Sequence, residues 1–403
     1  MSNWDGRLPV LVVGGGMISE EVILPTVFQE RRLGKLGPIS VSALDAKRLA
    51  YLKTVFPKEQ FRCYPDPAKD INAVDPELYL TAIKELEPKG VVIVATPDHF
   101  HTPVIKAAMK AGHHVVCMKP LCLKVAEAHE ILEEATRLGR YVYTDYHKRH
   151  DRAVRAARYR YRKGDLGQML HGHAWIEEKK TMALDVFKDW CEKSSPFEYV
   201  GCHYVDAYYF ITGLLPRRLI AFGQKKFLPS KGKNAFDAVQ ATIQWEDESI
   251  LFVQTSWVSP DSDTAWANQG LELRGTLGEY FSHHKDRHTY FVTDKYGFEH
   301  YNPNFFKPYD DWNEPDGVQW AGYGYDSIVL GLDDIRHMEQ ATDGMTEAQA
   351  LTNRQAMIRD LERIRPLPNQ ALVGTAVNEA VRLSIDNGSR WVRFDERMYP
   401  RLD

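Results

Sequence analysis

Two apolar, β-branched runs in this chain stop at groups able to hydrogen-bond or carry charge. Val91 to Ala95 ends at Thr96-Pro97-Asp98, with His101 close behind, and Val115 to Met118 ends at Lys119-Pro120. Ligands of open parallel sheets bind at the carboxyl ends of strands, which places Lys119 for chemistry. The alternative is a surface lysine that caps a strand. Further on, His203 and Asp206 stand three residues apart, on one face if Glu198 to Phe210 is helical. An imidazole with an unperturbed pKa near neutrality suits proton transfer. The plainer reading is a helix histidine packed among Tyr204, Tyr208, Tyr209 and Phe210.

The elements that must position these groups are legible from periodicity. Apolar runs without polar alternation, separated by a helical pattern, read as parallel strands covered on both faces. Leu8 to Val13 forms a first such strand, followed directly by Gly14-Gly15-Gly16-Met17-Ile18-Ser19. This fits the dinucleotide fingerprint GxGxxG at Gly14 and Gly16, with Ser19 in the third position. A helix N-terminus behind the loop offers N–H groups and partial positive charge to phosphates, so backbone around Gly14 to Ile18 is expected to hold a pyrophosphate. A second strand is expected over Ile39 to Leu44, after a basic insertion from Gln29 to Pro38, and it ends at Asp45. A carboxylate there accepts from adenosine ribose hydroxyls and favours NAD over NADP. Lys47 and Arg48 would instead suit a 2′-phosphate, and Asp45 would otherwise cap a helix beginning at Ala46.

The glycine loop, Ala95 to His101, Ala111 to Pro120 and Gly201-Cys202-His203-Tyr204-Val205-Asp206 come in an order that resembles the glucose–fructose oxidoreductase / inositol dehydrogenase (Gfo/Idh/MocA) family. Gly275 to Gly278 and the helix ending at Gly388 extend the likeness over nearly the whole chain. The resemblance implies an NAD-dependent oxidoreductase acting on a CH–OH group, with Lys119 stabilising a developing alkoxide and His203 as general acid/base. It assigns catalysis to Lys119, His203 and Asp206. Cofactor contacts fall to Gly14, Gly16, Met17, Ile18, Asp45, Thr96, Pro97, Asp98, His101, Met118 and Lys119. Substrate contacts fall to Lys119, Tyr146, Lys148, Tyr199, His203 and Asp206. Two positions depart from the family pattern. Tyr199 stands where many relatives have an aspartate four residues before the histidine, which leaves Asp206 or the adjacent Glu198 to orient the imidazole. Met118 stands where a glutamate usually holds the nicotinamide ribose.

At 403 residues the chain exceeds the usual single-core size. The expected fold is α/β: a Rossmann dinucleotide-binding domain over residues 1–146, then an α+β domain over 147–403 with a large, mostly antiparallel sheet. The second domain is expected to bind substrate and build a homodimer or homotetramer, and the C-terminal helix to pack back on the first. A net charge of −4 argues against nucleic acid, and no apolar run is long enough to span a bilayer. The N-terminus shows no signal-peptide core, and cysteines 63, 117, 122, 191 and 202 form no paired framework, so a cytoplasmic setting is expected. His171 with His173, and His283-His284 with His288, lack the convergent ligands of a zinc site, so no metal is expected. Tyr146-His147-Lys148-Arg149-His150 either presents donors to sugar hydroxyls or forms a polar crossover. The leading function is hydride transfer between NAD(H) and a secondary hydroxyl of a sugar, glycoside or cyclitol. The alternatives are an NAD-retaining glycoside hydrolase or lyase working by transient oxidation, and a non-catalytic nucleotide-binding protein.

Overall fold

A computed structural model describes residues 4–314 and 317–403. Met1 to Asn3, where the expected leaderless N-terminus begins, lie outside the described residues. Strand β1 (Leu8–Val13) is buried along its whole length. It leads through the glycine loop into a helix whose first part is a π-turn (Ser19–Ile23) and whose remainder is α1 (Leu24–Arg32). Strand β2 covers Leu36–Ser42. The stretch from Gln29 to Pro38 is therefore no insertion. Its first residues finish the helix, its last begin the strand, and Gly37-Pro38 falls where the β1–β2 register shifts. Proline is tolerated at such an irregularity because no ladder N–H is required of it.

The first sheet continues with α2 (Ala46–Val55), β3 (Arg62–Tyr64), α3 (Leu78–Glu85), β4 (Val91–Val94), α4 (His101–Lys110), β5 (His114–Met118), α5 (Val125–Leu138) and β6 (Val142–Asp145). Its strand order is β3-β2-β1-β4-β5-β6, and every pairing is parallel. The order reverses between β1 and β4, the point at which doubly wound sheets receive their ligands.

The second sheet follows α6 (Arg152–Arg162) and begins with β7 (Met169–Lys179). Next come α7 (Cys202–Thr212), β8 (Pro216–Gln224), the short α8 (Phe227–Ser230), β9 (Ala238–Trp245), β10 (Ile250–Ser259), β11 (Ala267–Gly275) and β12 (Glu279–His283). Two short hairpins follow, β13 (Tyr290–Thr293) with β14 (Gly297–His300), and β15 (Lys307–Asp310) with β16 (Val318–Ala321). Helices α9 (Tyr323–Ala341), α10 (Glu347–Leu361) and α11 (Pro368–Asp386) precede the closing strands β17 (Val392–Phe394) and β18 (Pro400–Leu402). The eight strands are ordered β12-β11-β7-β10-β9-β8-β17-β18, antiparallel except where β7 meets β10. Alternating burial on β9 shows one face turned to a core that includes Tyr204, Tyr208, Trp245, Val377 and Val381.

The chain forms two compact units. One contains Met1–Leu121, Glu127–Asp145 and Pro308–Gln370; the other contains Cys122–Ala126, Tyr146–Lys307 and Ala371–Asp403. The division expected after Tyr146 is one residue from an observed transition, but residues 308–370 belong with the Rossmann unit. From Ala371 onward, α11 belongs with the second. The reason for the return lies on β6. Tyr141, Tyr143 and Asp145 alternate onto one face and meet α9 at successive turns. The Tyr141 hydroxyl donates to Asp334 at 2.7 Å, Tyr143 lies against Gly331, and the Ser327 hydroxyl, near the buried Asp145, donates to the Gly324 carbonyl at 3.2 Å. Arg365 holds the same Asp334 through Nε at 2.7 Å. On β5, His114 is fully buried: its Nδ1 accepts from the Tyr141 N–H at 2.9 Å, so Nε2 carries the proton given to Glu339 on α9 at 2.8 Å.

Asp334→Ala strands the Tyr141 hydroxyl and the Arg365 guanidinium at once. A destabilisation of about 2–4 kcal/mol is expected from leaving buried partners unmet, read as a lower denaturant midpoint with an unchanged slope. A midpoint within error of the parent would show that α9 is not held by this contact.

Candidate active site

The glycines of the first loop are required for two different reasons. Gly14 has φ +118°, and a Cβ there would stand 2.2 Å from the Ala95 carbonyl oxygen on the neighbouring chain segment. Gly16 is exposed, and a Cβ there would meet no protein atom within 4 Å. The first glycine thus serves the fold, whereas the second leaves open space above the start of the helix. Met17 and Ile18 open that helix, whose first-turn N–H groups have no intrahelical acceptors. Ser19 is buried and donates its hydroxyl to the Gly14 carbonyl at 2.7 Å, so it ties the loop to the helix it begins. These residues fit a dinucleotide pyrophosphate.

Asp45 caps α2, accepting from the Arg48 N–H at 2.8 Å. Its second carboxylate oxygen makes no hydrogen bond among the described residues, so the cap and a ribose contact are compatible. The Arg48 side chain lies over the glycine loop. It donates to the Gly15 carbonyl and pairs with Glu20 at 2.6 Å. Among the residues expected to suit a 2′-phosphate, Arg48 is thus engaged and Lys47 is exposed.

At the ends of β4 and β5 the same unit holds Thr96, Pro97, Asp98, Met118 and Lys119. The buried Thr96 hydroxyl has no hydrogen-bond partner among the described residues, an orphan consistent with a ligand at this strand end. Asp98 is buried and accepts from the His99 N–H at 2.9 Å. His101 is fully buried rather than presented to a cofactor. Its Nδ1 meets the Pro120 carbonyl at 2.7 Å and its Nε2 the Thr96 carbonyl at 3.0 Å. Burial lowers its proton affinity, and the neutral ring donates to one of these carbonyls and packs against the other, lying between the two strand ends. Lys119 is half-buried, and the residue before it, Met118, is the ladder partner of Asp145 on β6. A carboxyl therefore stands one strand away from the position that lacks glutamate.

In the second unit, His203 lies in the first turn of α7 with its ring 4.4 Å from that of His147, which packs in turn on Phe305 at 5.2 Å. His203 and Asp206 do share the helix, as their spacing predicts. The Asp206 carboxylate is buried and engaged by Arg149, Nε at 2.8 Å and Nη2 at 2.6 Å. Burial still raises the Asp206 carboxyl above the usual range, against the pull of that guanidinium. Glu198, the other carboxylate considered for orienting the imidazole, is buried and paired with Arg382. Tyr199 joins an aromatic cluster, 4.7 Å from Phe187 and 5.3 Å from Trp190.

Two residues expected to meet substrate are instead internal. The Tyr146 hydroxyl is buried against Gly374, where a Cβ would approach it to 2.3 Å. Lys148 is 1% exposed, donates to Gln269 at 2.6 Å and lies over the Tyr204 ring. His147 and Arg149 enter the sequence reading only within Tyr146 to His150, as donors to sugar hydroxyls or a polar crossover, and Asp145 has no assigned role. The Arg149–Asp206 pair joins residues 57 positions apart, and no local pattern announces it. Asp145 did carry a signal, an acid at the end of a buried strand. Among the described residues, no group of three or more His, Cys, Asp or Glu is arranged to hold a metal. Nor is any described helix long and apolar enough to cross a membrane.

Arg149→Ala leaves Asp206 buried without its counter-charge. Loss of about 3–5 kcal/mol of stability is expected near neutral pH, with partial recovery in acid as the carboxyl takes up a proton. Equal stability at pH 7 and pH 5 relative to the parent would remove this account of the pair.

Residues 8–146 match the oxidoreductase family with an NAD-binding Rossmann fold, and residues 154–281 match the GFO/IDH/MocA C-terminal domain. Among curated relatives, D-glucoside 3-dehydrogenase of Escherichia coli is 24% identical over 202 residues, 45% of this chain and 55% of the relative. The 2,7-anhydro-N-acetylneuraminate hydratase of Mediterraneibacter gnavus is 30% identical over 154 residues, 37% of this chain and 40% of the relative. The chain thus spans about half the length of the curated relatives it matches. Among solved structures, an inositol dehydrogenase homologue from Azotobacter vinelandii, complexed with NADH and myo-inositol, superimposes with a TM-score of 0.69 at 19% identity, covering 96% of this chain and 98% of that one. With both family domains matched in order and the fold shared nearly end to end, the chain belongs to the Gfo/Idh/MocA oxidoreductase family, and residues 8–146 are its NAD-binding Rossmann domain.

Proposed function

We propose that this protein is an NAD(H)-dependent oxidoreductase acting on a secondary hydroxyl of a sugar, glycoside or cyclitol. The observation that carries the reading is Lys119, half-buried at the carboxyl end of β5 in an NAD-binding sheet, on a segment packed against His101. When bound, the nicotinamide supplies the hydride acceptor or donor. The Lys119 ammonium offsets negative charge developing on the substrate oxygen, and His203 takes or returns the hydroxyl proton. The His147 ring, tilted and 4.4 Å away, packs against the imidazole. Because Asp206 and Glu198 are each neutralised by an arginine, the imidazole gains little negative charge from the carboxylates of its own segment. Asp206 is a positioning residue, fixing α7 to Arg149. The partly exposed Tyr199 edge meets the substrate. A cytoplasmic homo-oligomer using a small polyol or glycoside is the setting this reading assumes.

The match to a hydratase favours a second reading, in which oxidation is transient and water is added or removed with no net change of NAD. A panel of polyols and glycosides incubated with NAD, followed by nicotinamide absorbance and product analysis together, separates the two. Product formation tied to stoichiometric NADH supports the first. Product without NADH accumulation supports the second.

Three further outcomes are expected. NAD(H) should bind at least about tenfold more tightly than NADP(H), or ~1.4 kcal/mol, with Asp45→Ala narrowing the gap. Equal affinities in the parent would mean that Asp45 serves only as a cap. Lys119→Ala should lower kcat by about a hundredfold or more while NAD still binds, since the pyrophosphate is held by loop backbone. His203→Ala should impair turnover and remove a titration from the pH–rate profile. Near-parental turnover in both folded variants would exclude the proposed acid–base pair.

A further inference from the structure

Arg48 starts beside the carboxylate expected to hold the adenosine ribose. Its own N–H donates to Asp45 Oδ1 at 2.8 Å, so its side chain springs from the first turn of α2, next to that carboxylate. A nearby arginine is what accommodates a 2′-phosphate in sheets of this kind. Here the side chain turns to the glycine loop instead. Nε donates to the Gly15 carbonyl, and Nη2 lies 3.4 Å from the Gly16 carbonyl oxygen and donates to Glu20 Oε2 at 2.6 Å. Gly15 leaves room for this path, since a Cβ there would stand 3.2 Å from Arg48 Cγ. The other Glu20 oxygen accepts from the Tyr51 hydroxyl at 3.1 Å, and the Tyr51 ring centroid lies 4.9 Å from the guanidinium carbon. Only Nη1 of the guanidinium is left without a hydrogen bond among the described residues.

The Arg48 and Glu20 side chains are 30% and 24% exposed. A lone pair of that exposure contributes little to stability. What this one fixes is a direction, because the guanidinium meets the loop, the helix behind the loop and a ring of its own helix at once. Resting on the cofactor reading above, we infer that Glu20 is a specificity-determining residue for NAD over NADP, acting by holding Arg48 over the glycine loop. A 2′-phosphate arriving near Asp45 meets a guanidinium whose charge is already opposed by a carboxylate. Turning Arg48 out to meet it breaks the charge-assisted bond to Glu20 and the contacts with two carbonyls. It also leaves the Glu20 carboxylate without its counter-charge close to a second anion. NAD demands none of this, since Asp45 serves its ribose and loop backbone its pyrophosphate. Discrimination then comes from a partner withheld as well as from a partner supplied.

The test compares dissociation constants of NAD and NADP for the full chain and its variants, with no substrate present. Glu20→Gln keeps the shape of the side chain and removes its charge. It should tighten NADP relative to NAD by about three- to tenfold, the scale of one charge-assisted contact at a partly exposed position. NADP binding should also become more steeply salt-dependent, while that of NAD keeps its slope. Adding Arg48→Ala to Glu20→Gln should return the ratio to the parent's value, because the gain belongs to the released guanidinium. A merely loosened loop would weaken both dinucleotides alike and leave the ratio where it was. Should Glu20→Gln not fold, Glu20→Ala carries the same expectation. An unchanged ratio in the folded Glu20 variants overturns the inference. So does a gain that survives Arg48→Ala, which would assign it to Lys47 or to lost repulsion. Equal affinities in the parent, or tighter NADP, would instead refute the preference for NAD, and failure to bind either dinucleotide would refute the cofactor reading itself.

Discussion

A parallel sheet must be covered on both faces, and in this protein its edge strand β6 brings polar tips to one of them. Tyr141, Tyr143 and Asp145 alternate onto the face that α9 covers. Each polar tip left in an apolar interior without a partner would cost on the order of 1–3 kcal/mol, so the covering element must supply partners as well as surface. Helix α9 does both, presenting Asp334, Gly331 and Ser327 at successive turns. The small residue in the middle lets the Tyr143 ring approach, and Asp334 satisfies the Tyr141 hydroxyl. The return of residues 308–370 to the Rossmann unit follows from this need.

The same constraint reaches the strand ends where chemistry is placed. His101 lies between the Thr96 and Pro120 carbonyls, so one buried ring packs against the segments after β4 and β5. Lys119 is consequently presented from a fixed backbone rather than from a free loop. In the second unit the pairs Arg149–Asp206 and Arg382–Glu198 play a comparable part around α7. Arginine suits both positions because its planar fork meets a carboxylate through two donors and keeps its charge when buried. Histidine 203 is thus held by a neutralised framework and touched by a second ring, His147, which distinguishes it from a site ordered by a free carboxylate.

Much of this protein follows from local pattern. The run Leu8–Val13 with Gly14 and Gly16 behind it is enough to place a dinucleotide loop, because strand burial, tight turning and an open helix start each demand particular residue types within a dozen positions. The end of β5 at Lys119, the i, i+3 placement of His203 and Asp206, and the alternating strands β7, β9 and β10 are local in the same sense. Tertiary structure decided what these groups touch. Asp206 turned to Arg149, His101 to two carbonyls and Lys148 to Gln269, and Tyr146 was buried against Gly374, because each choice depends on which distant segment arrives to cover it. The membership of residues 308–370 and the pairing of Tyr141 with Asp334 are long-range in the same way. A side chain's type and spacing can be read along the chain; its partner is set by packing across it.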